Sequence, residues 1–228
     1  MTFTYFGHSA FQIQTNGTTI LTDPFIDGNK HAEGIVNADS LDPDVVLLTH
    51  AHGDHYGNTP GILERTGAQV VANYEIIQYI AGELDHDAGH PMNTGGSWDF
   101  DWGSLTMTYA RHSSSFPDGT YGGNPNGFIM ELEGKTIYNT GDTCYFAELK
   151  WYADRYDIDL LLLPIGDDFT MGPDEAVAVA EILQPILTVP VHYDTFPYIE
   201  VDTDDWADMM AEADLDAKVV APGEELTV

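Results

Sequence analysis

Short β-like runs of apolar and β-branched residues alternate with turns in FTYFG (3–7), AFQIQTNG (10–17) and TTILTDP (18–24), which predicts short strands with a hairpin turn at 15–18. Residues 24–43 are rich in Gly, Asp, Asn and Pro and read as loop. The run VVLLT (45–49) has no polar alternation, as expected of a strand covered on both faces. A short helix is predicted over TPGILERTG (59–67), a strand over AQVVAN (68–73), and a helix over NYEIIQYIAGEL (73–84), where Ile76, Ile77 and Ile80 share a face.

The second half begins again with strands: SWDFDWG (97–103), SLTMTYA (104–110), and the hairpin NGFIMELEG–KTIYNTGD (126–142) turning at Glu133-Gly134. A helix over TCYFAELKWYAD (143–154), a buried strand IDLLLLPIG (158–166), a helix GPDEAVAVAEIL (172–183) with Pro173 near its start, and a strand ILTVPVHY (186–193) follow. DTDDWADMMAEAD (202–214) predicts a helix with an acidic first turn, and AKVVAPGEELTV (217–228) one or two short strands. Each half runs strands first and strand–helix alternation second. The pattern predicts an α/β fold, a four-layer αββα sandwich, built as one domain over residues 1–228.

Composition narrows the function classes. The chain has 228 residues and one cysteine, Cys144, so no intrachain disulfide and no thiolate cluster can form. MTFTYFGHSAF lacks the basic region and cleavage site of a leader, and no apolar run approaches the ~18 residues of a membrane span. A cytoplasmic protein is expected. Asp and Glu number 38 against 7 Lys and Arg, a formal charge of −31, which argues against nucleic-acid binding through a basic patch. With 43% hydrophobic residues the chain still has material for a core, so the acidity suggests a halophilic surface rather than disorder.

The chemistry sits where the strands stop. VVLLT runs into His50, His52, Asp54 and His55; SLTMTYAR runs into His112; KTIYNTG into Asp142; ILTVPV into His192. Imidazoles and carboxylates at short spacing are ligands for zinc and similar divalent metals. Ordinary surface histidines would rarely place three within six positions directly after an apolar strand.

His50-Ala51-His52-Gly53-Asp54-His55 matches the H-x-H-x-D-H signature of the metallo-β-lactamase superfamily, and His112, Asp142 and His192 follow in the order its other metal motifs require. GHSAF (7–11), MNTGG (92–96), PIGDDFTMGPDEA (164–176) and PVHYDTFP (190–197) resemble one branch of small metal-dependent hydrolases. That branch is similar to ascorbate-6-phosphate lactonases and, more distantly, to N-acylphosphatidylethanolamine phospholipase D. The resemblance implies a binuclear site. His50, His52 and His112 would hold one ion, Asp54, His55 and His192 the other, and Asp142 would bridge them. Zinc is the default, with manganese, iron or nickel compatible with the donors.

It further implies a hydrolase in which a hydroxide between the ions attacks an ester, lactone or phosphodiester of a small-molecule substrate, phosphorylated substrates included. Asp54 would be ligand and proton shuttle, and Asp142 and His8 would belong to the catalytic set. A metal-binding or sensing protein with little turnover is the alternative, and an iron-dependent oxidoreductase a third reading. Association into homo-oligomers is left open. Outside the ligand set, His8 reads either as a group beside metal or substrate or as a structural histidine. Asp168, Thr170, Tyr193 and Thr195 read as pocket or turn residues, and Cys144 as packing. His31, His86 and His90 read as solvated, and Arg65 and Arg111 as partners of neighbouring carboxylates, with Arg111 also able to meet an anionic substrate.

Overall fold

The computed structural model describes residues 1–228. A first sheet contains β1 (Thr2–Gly7), β2 (Ala10–Thr15), β3 (Thr18–Thr22), β4 (Val45–Leu47), β5 (Gln69–Asn73) and β6 (Gly89–Met92). A second contains β7 (Ser97–Phe100), β8 (Gly103–Tyr109), β9 (Asn126–Leu132), β10 (Lys135–Asn139), β11 (Leu160–Pro164) and β12 (Leu187–Val191). The last strand, β13 (Glu225–Thr227), returns to the first sheet and pairs antiparallel with β1. In the first sheet β1, β2 and β3 are antiparallel neighbours and β3 to β6 are parallel. In the second, β7 to β10 are antiparallel and β10 to β12 parallel.

The continuous apolar runs are explained by what lies on either side of them. Val45 and Leu47 point into the core between the sheets with Phe3, Phe11, Phe128, Leu160 and Leu162. Val46 and Leu48 point outward, where α2 (Thr59–Thr66) and α3 (Tyr74–Leu84) cover them with Ile62, Leu63, Ile76 and Ile80. Leu161 and Leu163 do the same on the opposite outer face. There α4 (Leu149–Ala153), α5 (Pro173–Leu183) and α6 (Thr203–Glu212) supply Leu149, Val179 and Trp206. A strand with two dry faces has no place for a polar position. The four layers are those expected. No helix is long and apolar enough to cross a membrane.

One local expectation needs correction, and two further elements were not expected. The helix expected over 143–154 begins only at Leu149. The preceding residues bond to other loops instead: Arg111 N–H donates to Thr143 Oγ1 at 2.9 Å, and Met171 N–H to the Thr143 carbonyl at 2.9 Å. The segment 53–56 forms a one-turn helix, here labelled α1 (Gly53–Tyr56), closed at Gly57. A Cβ on Gly57 would lie 2.6 Å from the Pro24 carbonyl oxygen, so only glycine lets the helix end against that loop. Finally, β6 was not apparent because GHPM carries neither alternation nor an apolar run; its pairing with β5 defines it.

Candidate metal centre

Strand direction assembles the site. In the first sheet β1, β3 and β4 run the same way, and in the second so do β8, β10 and β12. The residues just past their C-terminal ends are His8, Asp23, His50, His112, Asp142 and His192. Rigid sheet ends thus deliver the polar groups, as loops on a fixed scaffold commonly do. His8, Asp23 and His192 have φ of 58°, 43° and 54°, a left-handed turn that non-glycine residues adopt mainly where surroundings enforce it.

At the centre is one oxygen. Asp142 Oδ2 lies 3.0 Å from His192 Nε2, 3.2 Å from His55 Nε2, 3.7 Å from His112 Nε2 and 3.9 Å from His50 Nε2. His55 Nε2 is buried and makes no hydrogen bond despite that proximity. On one side, His50 Nε2 and His52 Nδ1 are 3.0 Å apart, and His50, His52 and His112 offer donor atoms mutually within 4.8 Å. On the other, His8, Asp54, His55 and His192 do the same. All seven residues expected as ligands are therefore brought together, with His8 beside them.

The partners behind the ligands set which ring nitrogen faces the centre. Asp23, fully buried, accepts from Thr49 N–H at 2.9 Å and Thr49 Oγ1–H at 2.7 Å, and lies 2.9 Å from His55 Nδ1. Because Thr49 Oγ1 spends its hydrogen on Asp23, it meets His50 Nδ1, 3.0 Å away, as an acceptor. Both rings then carry a proton on Nδ1 and turn Nε2 toward Asp142. Ser114 Oγ accepts from Ala51 N–H at 3.2 Å and donates to the Gly122 carbonyl at 3.0 Å, which fixes the chain between His50 and His52. Asp23, Thr49 and Ser114 were not singled out from the sequence. Asp23 could have been, since it follows the apolar run TTILT as His50 follows VVLLT.

Burial dominates the electrostatics. It pushes His50 well below the usual histidine range, with the neighbouring His55 adding to the effect, and it lowers His52 and His112. His8 is pushed down to about 3 by burial and by His192. Burial also opposes ionisation of Asp142, but His192 and His55 outweigh it and hold the carboxyl well below its usual range. Asp54 is likewise held low, against burial, by His8 and His55. His55 is the exception: burial disfavours its charge, yet Asp142 and Asp23 on either side raise it well above 6.5. The position between those carboxylates demands positive charge, which a proton or a metal ion would satisfy.

Of the flanking residues, Thr195 and Tyr193 are buried at the site, Thr195 with its hydroxyl 2.9 Å from His8 Nδ1. Asp168 is exposed in a turn with φ 45°, and Thr170 Oγ1 donates only to the Met171 carbonyl at 3.4 Å. Cys144 is half-buried, its thiol directed at the Tyr145 carbonyl. His90 is not solvated as expected but packs on Trp98 and Phe100, and His86 bonds the Ala68 carbonyl. His31 too is half-buried, near Tyr193. Arg65 pairs with Asp42 at 3.7 Å, whereas exposed Arg111 makes no ion pair.

The model of the β-lactamase superfamily domain matches residues 2–192. A UPF0173 metal-dependent hydrolase of Salinibacter ruber is 50% identical over 224 residues, covering 98% of both chains. Another, of Thermus thermophilus, is 43% identical over 222 residues, covering 97% of this chain and 96% of the relative. Among solved structures, a metallo hydrolase from the archaeon Ignicoccus hospitalis superposes with a TM-score of 0.89 at 35% identity, covering 100% of this chain and 97% of that one.

Proposed function

This chain belongs to the β-lactamase superfamily as one of its metal-dependent hydrolases, and from that premise we propose that it is a binuclear enzyme acting on an ester, lactone or phosphodiester. The observation that carries the reading is the single oxygen, Asp142 Oδ2, within 3.0–3.9 Å of four imidazole nitrogens drawn from both donor groups. His50 and His55 turn Nε2 toward that oxygen with Nδ1 engaged by Thr49 and Asp23, so the cluster is built for cations. The orphaned His55 Nε2 fits the same requirement. His50, His52 and His112 would hold one ion, Asp54, His55 and His192 the other, and Asp142 both. Five imidazoles among seven ligands favour zinc, with manganese, iron or nickel also served by the carboxylates.

Divalent ions bound there would supply a water nucleophile ionised near neutral pH and polarise the substrate oxygen. The chain does the rest. Asp23 and Thr49 hold the His55 and His50 rings in one tautomer, so no reorganisation is needed on binding. The Asp54 side chain is 28% exposed against 3% for Asp142, so Asp54 is the carboxylate able to pass a proton from the attacking water to solvent. Unpaired Arg111, next to His112, is the cation a phosphorylated substrate would meet. The core shared by both sheets supports one domain over residues 1–228, and the charge of −31 supports a halophilic surface.

The test combines elemental analysis with turnover of the reconstituted protein on generic phosphodiester, lactone and thioester substrates. Two ions per chain and turnover of at least one class are expected. Fewer than two ions after reconstitution would overturn the binuclear reading. Two ions without turnover on any class would return the protein to a binding or sensing role.

A further inference from the structure

His8 stands among the ligands but outside the ligand set of the binuclear reading, on which the following rests. It occupies the tight connection from β1 to β2. Its carbonyl accepts from the Tyr5 hydroxyl at 2.9 Å and from His192 N–H at 2.8 Å, so the turn carrying one histidine is bolted to the loop carrying another. The side chain is fully buried. A left-handed conformation is strained for histidine, and these two bonds hold it there.

The hydrogen inventory of the ring is decisive. Nδ1 lies 2.9 Å from Thr195 Oγ1, and Nε2 lies 3.2 Å from Asp54 Oδ2. Thr195 has one hydroxyl hydrogen, and it donates that hydrogen to the Tyr193 carbonyl at 3.2 Å. Thr195 Oγ1 therefore meets His8 as an acceptor, a ring proton sits on Nδ1, and in the neutral ring Nε2 presents a lone pair. What faces that lone pair is a carboxylate oxygen, which is also an acceptor. Two acceptors at that separation repel unless a cation lies within reach of both.

The surroundings supply the rest of a coordination shell. Donor atoms of His8, Asp54, His55 and His192 all lie within 4.8 Å of one another, and the His8 and His192 rings are 4.1 Å apart between centroids. We propose that His8 Nε2 is a direct ligand of the ion held by Asp54, His55 and His192, a donor lying outside the H-x-H-x-D-H stretch. Thr195 is the positioning residue that fixes its tautomer.

Ligation can be read without turnover. Protein labelled with nitrogen-15 in its histidine rings and reconstituted with cadmium-113 reports which ring nitrogens couple to metal. His8 Nε2 should couple to cadmium and carry no proton, while Nδ1 carries one. If the other five rings couple while His8 Nε2 is protonated and uncoupled, the binuclear reading stands and this proposal falls. If no ring couples, both fall. His8→Gln assigns the signal. It should weaken the second ion by more than the ~10–100-fold lost with an outer partner, leaving the first ion unchanged. An unchanged affinity for the second ion in folded His8→Gln would overturn the proposal. Should that variant not fold, Thr195→Val assigns His8 through its displaced Nδ1 signal.

Discussion

Replacing Asp23 by Asn exchanges one carboxylate oxygen for an NH2 group, and the contacts let the consequence be followed atom by atom. Oδ1 remains an acceptor for Thr49 N–H at 2.9 Å, so the amide nitrogen takes the place of Oδ2. That atom previously accepted from Thr49 Oγ1 at 2.7 Å and faced His55 Nδ1 at 2.9 Å; it now donates to both. His55 must accept on Nδ1 and shift its proton to Nε2. Thr49, its hydrogen released, turns it toward His50 Nδ1 at 3.0 Å and inverts that ring as well. One ligand on each side of Asp142 is then blocked by a proton. At about 10–100-fold per misdirected ligand, each ion loses roughly 1.4–2.7 kcal/mol of binding.

The fold should tolerate the change. Hydrogen bonds to a charged acceptor contribute about 1.5–3 kcal/mol and neutral ones about 0.5–1.5, so the metal-free protein loses roughly 1–3 kcal/mol. Asp23→Ala should behave oppositely. It strands His55 Nδ1–H and Thr49 N–H in the interior at about 1–3 kcal/mol each, yet imposes no tautomer on His55. The assays are thermal melts of metal-free protein and metal titration against a chromophoric chelator. Ala should rank below Asn in melting temperature and above it in metal affinity. If the two variants rank alike in both, tautomer control by Asp23 is wrong.

Asp142→Ala should leave a folded protein that binds at most one ion and has no measurable turnover; full occupancy by elemental analysis would remove Asp142 from its bridging role. Gly122→Ala places a Cβ against Ala51 and 2.6 Å from Ser114 Oγ, an overpacking of about 1–3 kcal/mol that should lower the melting temperature and loosen the His50–His52–His112 ion. Unchanged melting and metal content would refute that link. The melting temperature should rise with KCl at saturating metal, because Asp202, Asp204, Asp205, Asp208, Glu212, Asp214 and Asp216 are all exposed along and just after α6. Their mutual repulsion reaches about 30 Å at ~0.01 M salt and about 3 Å at ~1 M, so a flat profile would mean the acidity serves another purpose.

What could be read from the sequence is what depends on neighbours in the chain. VVLLT and LLLLP announce strands covered twice because every position must be apolar, and the ligands announce themselves by standing where those runs stop. The helix expected over 143–154 failed for the opposite reason. Its first residues, Thr143 to Phe146, are weaker helix formers than those that follow, and Thr143 is claimed by Arg111 and Met171, 32 and 28 positions away in the chain. Local preference is a weak prior when tertiary bonds compete.

The same distinction separates naming a site residue from assigning it a task. His8 could be named from GHSAF, but its task depends on Thr195 and Asp54, 187 and 46 positions away. Asp23 acts through Thr49 and His55, at separations of 26 and 32. These groups meet because strands of both sheets end at one edge, and because left-handed turns at His8, Asp23 and His192 follow β1, β3 and β12 directly. Asp and His tolerate that conformation better than branched residues, so nothing in local pattern marks it. The bonds that hold those turns, His192 N–H to the His8 carbonyl and Thr49 N–H to Asp23, involve no metal-facing atom. The scaffold therefore positions the candidate ligands through backbone and outer contacts, leaving their inward-facing atoms available to metal. That is why the tautomer, rather than the fold, is the point at which a one-atom change should disable the site.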